Sequence, residues 1–240
     1  MPTYKVKLKH REEVAESTTA FYFEKPSGFD FRPGQFCNVA LLDPPETDAK
    51  GNARSFSIAS APYEEDLMMA MRMRDTAFKR VLGRAPLGME VRFSKAVGPF
   101  TLHEDASRPA VFLVGGIGIT PFRSMILDAA HNNLPHRLLL FYSNRRPEDA
   151  AFLDELQQLE KNHANFNLVA TMAEMEKSQQ AWQGETGFIG KEMIDQYAGH
   201  LANPIYYSAG PPGMVRAMRE LLTGMGVNED NIRTEDFDGY

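Results

Sequence analysis

The chain has 240 residues, 43% of them apolar, a formal net charge of -6 and one cysteine, Cys37. No stretch approaches the roughly 18 uninterrupted apolar residues of a membrane span, the interspersed charges give no basic footprint for nucleic acid, and one cysteine excludes an internal disulfide, a cysteine-based zinc site and a four-thiolate iron-sulfur cluster within these residues. The length suffices for two domains, each with its own core, and the opening MPTYKVKLKHREEVAES has no apolar signal region, so a cytoplasmic location is expected.

From residue 4 to about 100 the chain reads as short strand-like runs: YKVKLKH, TAFYFEK, QFCNVALL, RSFSIAS, LMMAMRM and EVRFSKA. Turn-forming stretches such as KPSGFDFRPG and DPPETDAKGNA separate them, the pattern of an antiparallel barrel or sandwich. After residue 108 apolar strands alternate with helical periods. VFLV leads to a helix with Phe122, Met125, Ile126, Ala129 and Ala130 on one face, and RLLLFYS leads to PEDAAFLDELQQLEK. FNLVATM, PIYYSAG and NIRTEDF follow, with another helix carrying Met214, Ala217, Met218, Leu221 and Leu222. Apolar strands between segments of three-and-four spacing predict a parallel sheet wrapped by helices. The segment TLHEDASRP, 101–109, separates the two textures, and the expected domains are 1–104 and 105–240.

The run VFLVGGIGITPFRSM, 111–125, is not the usual G-x-G-x-x-G fingerprint. Thr120 is expected as helix N-cap and Pro121 as the first helical residue, so that backbone N–H groups and the helix dipole face an anion. Gly115, Gly116 and Gly118 would then be needed because a Cβ would hold a pyrophosphate away from the amides. The plainer reading is a tight turn that only packs helix against sheet.

Four motifs stand in order: FRPGQF at 31–36, RSFS at 54–57, GGIGITP at 115–121 and AGPPGM at 209–214, followed by a short acidic and aromatic tail. Each alone is weak. Together, over nearly the whole chain, they resemble the ferredoxin-NADP reductase superfamily, which pairs an N-terminal flavin-binding barrel with a C-terminal nicotinamide-nucleotide domain. The resemblance implies a flavin-dependent oxidoreductase, without an iron-sulfur domain, that takes hydride from NAD(P)H onto bound FAD. Electrons would pass onward to a ferredoxin, a flavodoxin or a small acceptor.

The resemblance also implies site residues. Arg54 would bind cofactor phosphates bidentately, with Ser55 beside it in the motif. Phe56, where the family usually has Tyr, would lie along the flavin, and Ser57 would bond flavin N5. A second phosphate contact would come from RMRDTAFKRVL, with Thr76, the N–H groups of Ala77 and Phe78, and Lys79 or Arg80 as open choices. Ala209, where the family commonly has Cys, would sit with Gly210 and Pro211 beside the nicotinamide. Glu235 and Phe237 match the family's acid and its stacking aromatic, with Tyr240 as the rival aromatic. The expected catalytic set is therefore Ser57, Glu235 and Phe237.

Nicotinamide choice stays divided. FYSNRRPEDAAF offers Ser143, Arg145 and Arg146 to a 2'-phosphate, whereas ATMAEMEK has no Arg, a slight lean to NADH. Arg72, Arg74, Lys79, Arg80 and Arg84 face one acid, Asp75, and form a solvated face or a docking patch for an acidic electron carrier. Six histidines without ligand spacing suggest no metal. The second function class is a non-catalytic flavin subunit active only within a larger complex. Subunits of that type in the superfamily often carry cluster-binding cysteines, which Cys37 alone cannot provide.

Overall fold

The structure, a computed structural model, describes residues 3–237. It divides into two compact units, one of Met1–Thr101 with Thr120–Asp128, the other of Leu102–Ile119 with Ala129–Tyr240.

In the first unit β1 (Thr3–Ala15), β2 (Thr18–Glu24), β3 (Phe36–Leu41), β4 (Ala53–Ser57), β5 (Asp66–Arg72) and β6 (Glu90–Ser94) form one antiparallel sheet in the order β4-β3-β6-β1-β2-β5. Period-2 alternation sends Val6, Leu8, Phe21, Phe23, Val39, Leu41, Val91 and Phe93 into a shared core. Just beyond β4, Ala59 N–H donates to the Met68 carbonyl of β5 at 2.8 Å, so the two edges meet and the sheet curls on itself. The helix α1 (Ala77–Arg84) starts where extended Thr76 accepts the Lys79 N–H on its side chain at 3.4 Å. It buries Ala77, Phe78 and Leu82, each large side chain worth about 1.5–3 kcal/mol.

The second unit holds β7 (Ala110–Gly115), β8 (Leu138–Asn144), β9 (Phe166–Met172), β10 (Glu185–Thr186), β11 (Ile205–Gly210) and β12 (Ile232–Asp236) in one parallel sheet of order β10-β9-β8-β7-β11-β12. Every residue of β7 and β11 is buried, which is why these runs are apolar throughout and do not alternate. The helices are α2 (Ile119–His131), α3 (Leu153–Asn162), α4 (Lys191–Ala198) and α5 (Pro212–Gly224). Strand β10 and helix α4 escaped the sequence reading because two and eight residues carry too little periodicity.

Two helix faces differ from expectation. In α5 the buried residues are Val215, Met218 and Leu222, while Ala217 is exposed, because the face is centred one position from the predicted stripe. In α2 residues 121–127 are all buried, not one face of them. The predicted 105–240 domain included this helix, yet residues 120–128 group with the first unit. There the Phe122 ring meets Phe100 edge-on at 5.5 Å and Ser124 Oγ donates to the Ser60 carbonyl at 2.7 Å. The buried Arg123 guanidinium bonds the Ala59 carbonyl at 2.9 Å and both Glu64 oxygens at 2.9 and 3.1 Å.

The strand starts of the second unit are tied by a polar cluster. Tyr207 Oη accepts from the His103 N–H at 2.9 Å and from Arg233 Nη1 at 3.2 Å. Its own proton is then directed at His103 Nδ1, 2.9 Å away, which leaves the imidazole proton on Nε2 to donate to the Arg108 carbonyl at 2.9 Å. Burial, reinforced by His136, Arg233 and Arg108, keeps the His103 pKa below the ordinary histidine value. Replacing Tyr207 by Phe strips the acceptor from two donors. We expect a loss of about 1–3 kcal/mol in denaturant unfolding, and an unchanged midpoint would refute this role.

Candidate functional site

In the first unit Arg54 and Phe56 sit on β4 opposite helix α1. The Arg54 guanidinium lies 5.5 Å from the Phe78 ring centroid, and the Phe56 and Phe78 centroids are 5.6 Å apart. Its Nη1 donates to the carbonyls of Lys50, Gly51 and Ala53 at 3.0, 2.9 and 2.7 Å, and its Nη2 to Asp48 Oδ1 at 2.6 Å. The edge formed by Nε and the second Nη2 hydrogen is the one left for an oxyanion. Lys79 Nζ donates to the Arg72 carbonyl at 2.6 Å. Burial first, then the charges of Arg74 and Arg54, bring its pKa down to about 8. Cations forced together in a half-buried setting are the electrostatic signature of an anion site. The start of α1, fixed by Thr76, adds N–H groups and the positive end of its dipole.

These residues fit a phosphate-bearing cofactor. Arg54, Phe56, Thr76 and Lys79 are brought together around α1. Ser55 is not: it is exposed, and its hydroxyl donates to Asn38 Oδ1 at 2.6 Å across the β3–β4 pair. Ser57 closes β4, is buried and is paired with Phe36. Arg80 is bonded to Glu46, with Nε to Oε1 at 3.0 Å, and also to Asp75, so it is a weaker phosphate candidate than Lys79.

In the second unit the strand order runs outward from β7 in both directions, with β8 on one side and β11 on the other. Open α/β sheets bind ligands outside the carboxyl ends of the strands at such a reversal. Here those ends carry Gly115, Ala209 and Gly210. A Cβ on Gly118 would lie 2.4 Å from the Ala209 carbonyl oxygen, and one on Gly115 would lie 2.3 Å from Met214 Sδ. Gly118 is thus required by close backbone packing, the plainer of the two sequence readings, whatever ligand the turn holds. Gly116, at φ +52°, supplies the left-handed corner.

Thr120 is not the N-cap. Gly116–Gly118 form a 3-10 turn that runs into α2 at Ile119, which places Thr120 second and Pro121 third in the helix. Two glycines, Gly116 and Gly118, let the chain tighten before the threonine is reached. Pro121 still falls in the first turn, where a missing N–H costs no helical bond. Pro211 is the N-cap residue of α5, and Ser143 is paired in register with Gly115.

The tail strand β12 lies beside β11, with Glu235 opposite Ala209 and Asp236 opposite Gly210. Phe237 N–H donates to the Gly210 carbonyl at 3.1 Å. Glu235 Oε2 is buried without a hydrogen-bond partner, and burial raises the carboxyl pKa to about 7. It can therefore hold a proton near neutrality. Tyr240 lies outside the described residues.

Several contributions were missed in the sequence: Asp48, which orients Arg54; the ring of Phe78, named only for its N–H, which faces Arg54; and Asp149, which bonds Arg145 and Arg146. Only Asp149 left a signal, its spacing of three and four from the arginines.

Antiparallel sheet, parallel α/β unit, cation cradle and glycine turns together define a class, and the fold is that of the ferredoxin-NADP reductases. Residues 112–220 match the family described as oxidoreductase NAD-binding domain. The chain is 28% identical over 220 residues to the reductase component of propane 2-monooxygenase from Mycolicibacterium goodii, covering 89% of this chain and 61% of that protein. It is 26% identical over 223 residues to the glycine betaine monooxygenase reductase of Pseudomonas aeruginosa, covering 92% and 60%. It thus spans about three fifths of the length of these relatives. A ferredoxin NADP+ reductase from Neisseria gonorrhoeae, solved with FAD and NADP, shares the fold at TM-score 0.80 and 22% identity, covering 98% of each chain. Among the described residues no helix is long and apolar enough to cross a membrane.

A carboxyl whose folded pKa is raised from 4.5 to about 7 binds more protons folded than unfolded between those values. Its contribution to stability is present at low pH and declines as pH rises through that window. Thermal melts of wild type and Glu235→Gln should therefore diverge from pH 5 to pH 8, the variant gaining relative to wild type. Parallel curves would show that Glu235 titrates normally.

Proposed function

We propose that this chain is the NAD(P)H-oxidising, FAD-binding part of a reductase that delivers electrons to a partner. The observation that carries this reading is the half-buried cradle of Arg54, Lys79 and the start of α1, where burial first, and then the charges of Arg74 and Arg54, bring Lys79 down to about 8. A diphosphate-bearing flavin supplies the counter-charge such a cradle calls for. When bound, the flavin accepts a hydride from reduced nicotinamide and releases two electrons singly. The chain's part is binding, orientation and proton control. Arg54, Thr76 and Lys79 hold phosphate, Phe56 offers an apolar face, and Ser57 supplies a hydroxyl for flavin N5. The turns at Gly115–Gly118 and Gly210–Pro211 hold the nicotinamide nucleotide, with Ser143 and Arg145 flanking it. Glu235 keeps a proton available near neutrality. Phe237 is the aromatic assigned to cover the flavin, with Tyr240 as its rival.

Relatives named as reductase components support an onward acceptor. Its chemistry is that of an acidic carrier such as a ferredoxin or flavodoxin, or of a small acceptor. Arg74 and Arg84, both exposed, are the basic residues suited to it, whereas Glu46 and Asp75 neutralise Arg80.

Anaerobic addition of NADH or NADPH to the purified yellow protein should bleach the flavin. A protein that stays yellow with both is instead an electron-transfer subunit that works only in a larger complex. Arg54→Ala removes a charge-assisted contact worth about 1.5–3 kcal/mol, so it should purify with much less FAD. Full flavin retention after dialysis would exclude Arg54 as a phosphate ligand.

A further inference from the structure

The amino ends of β8 and β9 carry a cavity that the reductase reading leaves unused. Helix α4 has eight residues and β8 has seven. Eight helical residues rise about 12 Å, whereas seven strand residues run about 23 Å, so the helix cannot cover the whole strand it packs on. Where α4 ends, Leu139, Leu168, Val169, Tyr197 and Leu201 line a cavity of ≈ 290 Å³, just under the about 300–1,000 Å³ of small-molecule sites. Leu139 and Val169 belong to the core of the unit, and Tyr197 and Leu201 pack against it. The Tyr197 hydroxyl is taken by Glu185 Oε1, so the cavity receives the ring.

The rim is polar. Arg137, Asn167 and His200 are exposed there, and Glu160 is half-buried. Glu160 Oε1 accepts the Leu168 N–H at 2.7 Å, which turns that carboxylate onto the backbone. Among the described residues, the side chains of Arg137 and His200 have no hydrogen-bond or ion-pair partner. A guanidinium in open water contributes little. Beside an apolar wall the local dielectric is lower, and the planar fork can take both oxygens of a carboxylate. The apolar remainder of such a ligand would displace water from the leucines.

We propose that this cavity is a second ligand site, which takes a compact apolar monocarboxylate and binds its acid group through Arg137. His200, on the same rim, offers a ring N–H. The size admits one aromatic ring or a short acyl chain and is too small for a dinucleotide. The site is independent of the reductase reading, since it lies at the strand ends opposite those of Gly115 and Gly210.

The test titrates benzoate, benzyl alcohol and benzylammonium into the flavin-loaded full chain, followed by saturation-transfer NMR and calorimetry. Wild type should bind benzoate saturably at millimolar or lower concentration, and the uncharged alcohol about tenfold more weakly. Arg137→Gln should lose about tenfold in benzoate affinity, the scale of one charge-assisted contact. Arg137→Lys, which keeps the charge without the planar fork, should lose less. Glu160→Gln should tighten benzoate by a small factor, because it removes a carboxylate from the rim. The Arg137 side chain is exposed and unpaired, so its variants should melt with wild type and any loss is loss of ligand contact. Excess NAD+ should not displace benzoate. No saturable benzoate binding, binding indifferent to Arg137→Gln, tighter binding of benzylammonium, or displacement by NAD+ overturns the inference. So does a dimer in sedimentation that Arg137→Gln dissociates, since a second copy would then cover the cavity. Flavin reduction by NADH or NADPH tests the reductase reading separately.

Discussion

Backbone contact at the carboxyl ends of β7 and β11 is the constraint on which the second unit turns. The position of a Cβ on Gly118 lies 2.4 Å from the Ala209 oxygen and 2.8 Å from Gly210 Cα, so no side chain is admissible there. Two motifs about ninety residues apart in the chain, GGIGITP and AGPPGM, are thereby pressed together at the reversal of strand order. The same approach places β12 alongside, Glu235 opposite Ala209, where its carboxyl is desolvated enough to keep a proton near neutral pH. Packing by itself thus asks for these glycines. A glycine at position 118 closes the backbone gap between the ends of the two motifs.

Charge is managed differently in the two units. Both place arginines where a phosphate is expected, and both hold them with a nearby carboxylate: Asp48 for Arg54, Asp149 for Arg145 and Arg146. Around Arg54 the balance stays positive, since Arg74 and Lys79 crowd in and Lys79 bonds a carbonyl. Around Arg145 it is cancelled by Glu148, Asp149 and Glu174. An excess of cations suits a diphosphate. In each case the carboxylate also removes rotamer freedom from a long side chain, so that less entropy is lost on binding.

Helix α2 shows how one segment can serve two demands. Its start is the continuation of the glycine turn, while Phe122, Arg123 and Ser124 bond and pack with residues 59–64 and Phe100 of the first unit. A buried guanidinium is tolerable only because Glu64 takes it bidentately and the Ala59 carbonyl accepts from it as well. Residues 59–64 directly follow RSFS, so the position of that motif is set partly by a side chain more than sixty residues away.

The six strands of the first unit, the apolar strands of the second and the four motifs were legible in the sequence by itself, because strand alternation, helical spacing and glycine or proline turns are local properties of the chain. Arg54, Thr76 and Lys79 were named only through the family resemblance, the last two as open choices. What tertiary structure decided were the partners. That Arg54 spends four bonds on its own loop, that Arg80 belongs to Glu46, that Asp149 absorbs two arginines and that Ser55 faces Asn38 depend on which groups folding brings within 3 Å. The helix starts at Ile119 and not at Pro121 because the preceding residues Gly116–Gly118 already form a 3-10 turn that runs into it. Likewise the raised Glu235 pKa is a desolvation effect, set by neighbours from other strands and absent from the tail sequence TEDF. Periodicity is written residue by residue, whereas hydrogen-bond pairing and local dielectric arise only when distant segments meet.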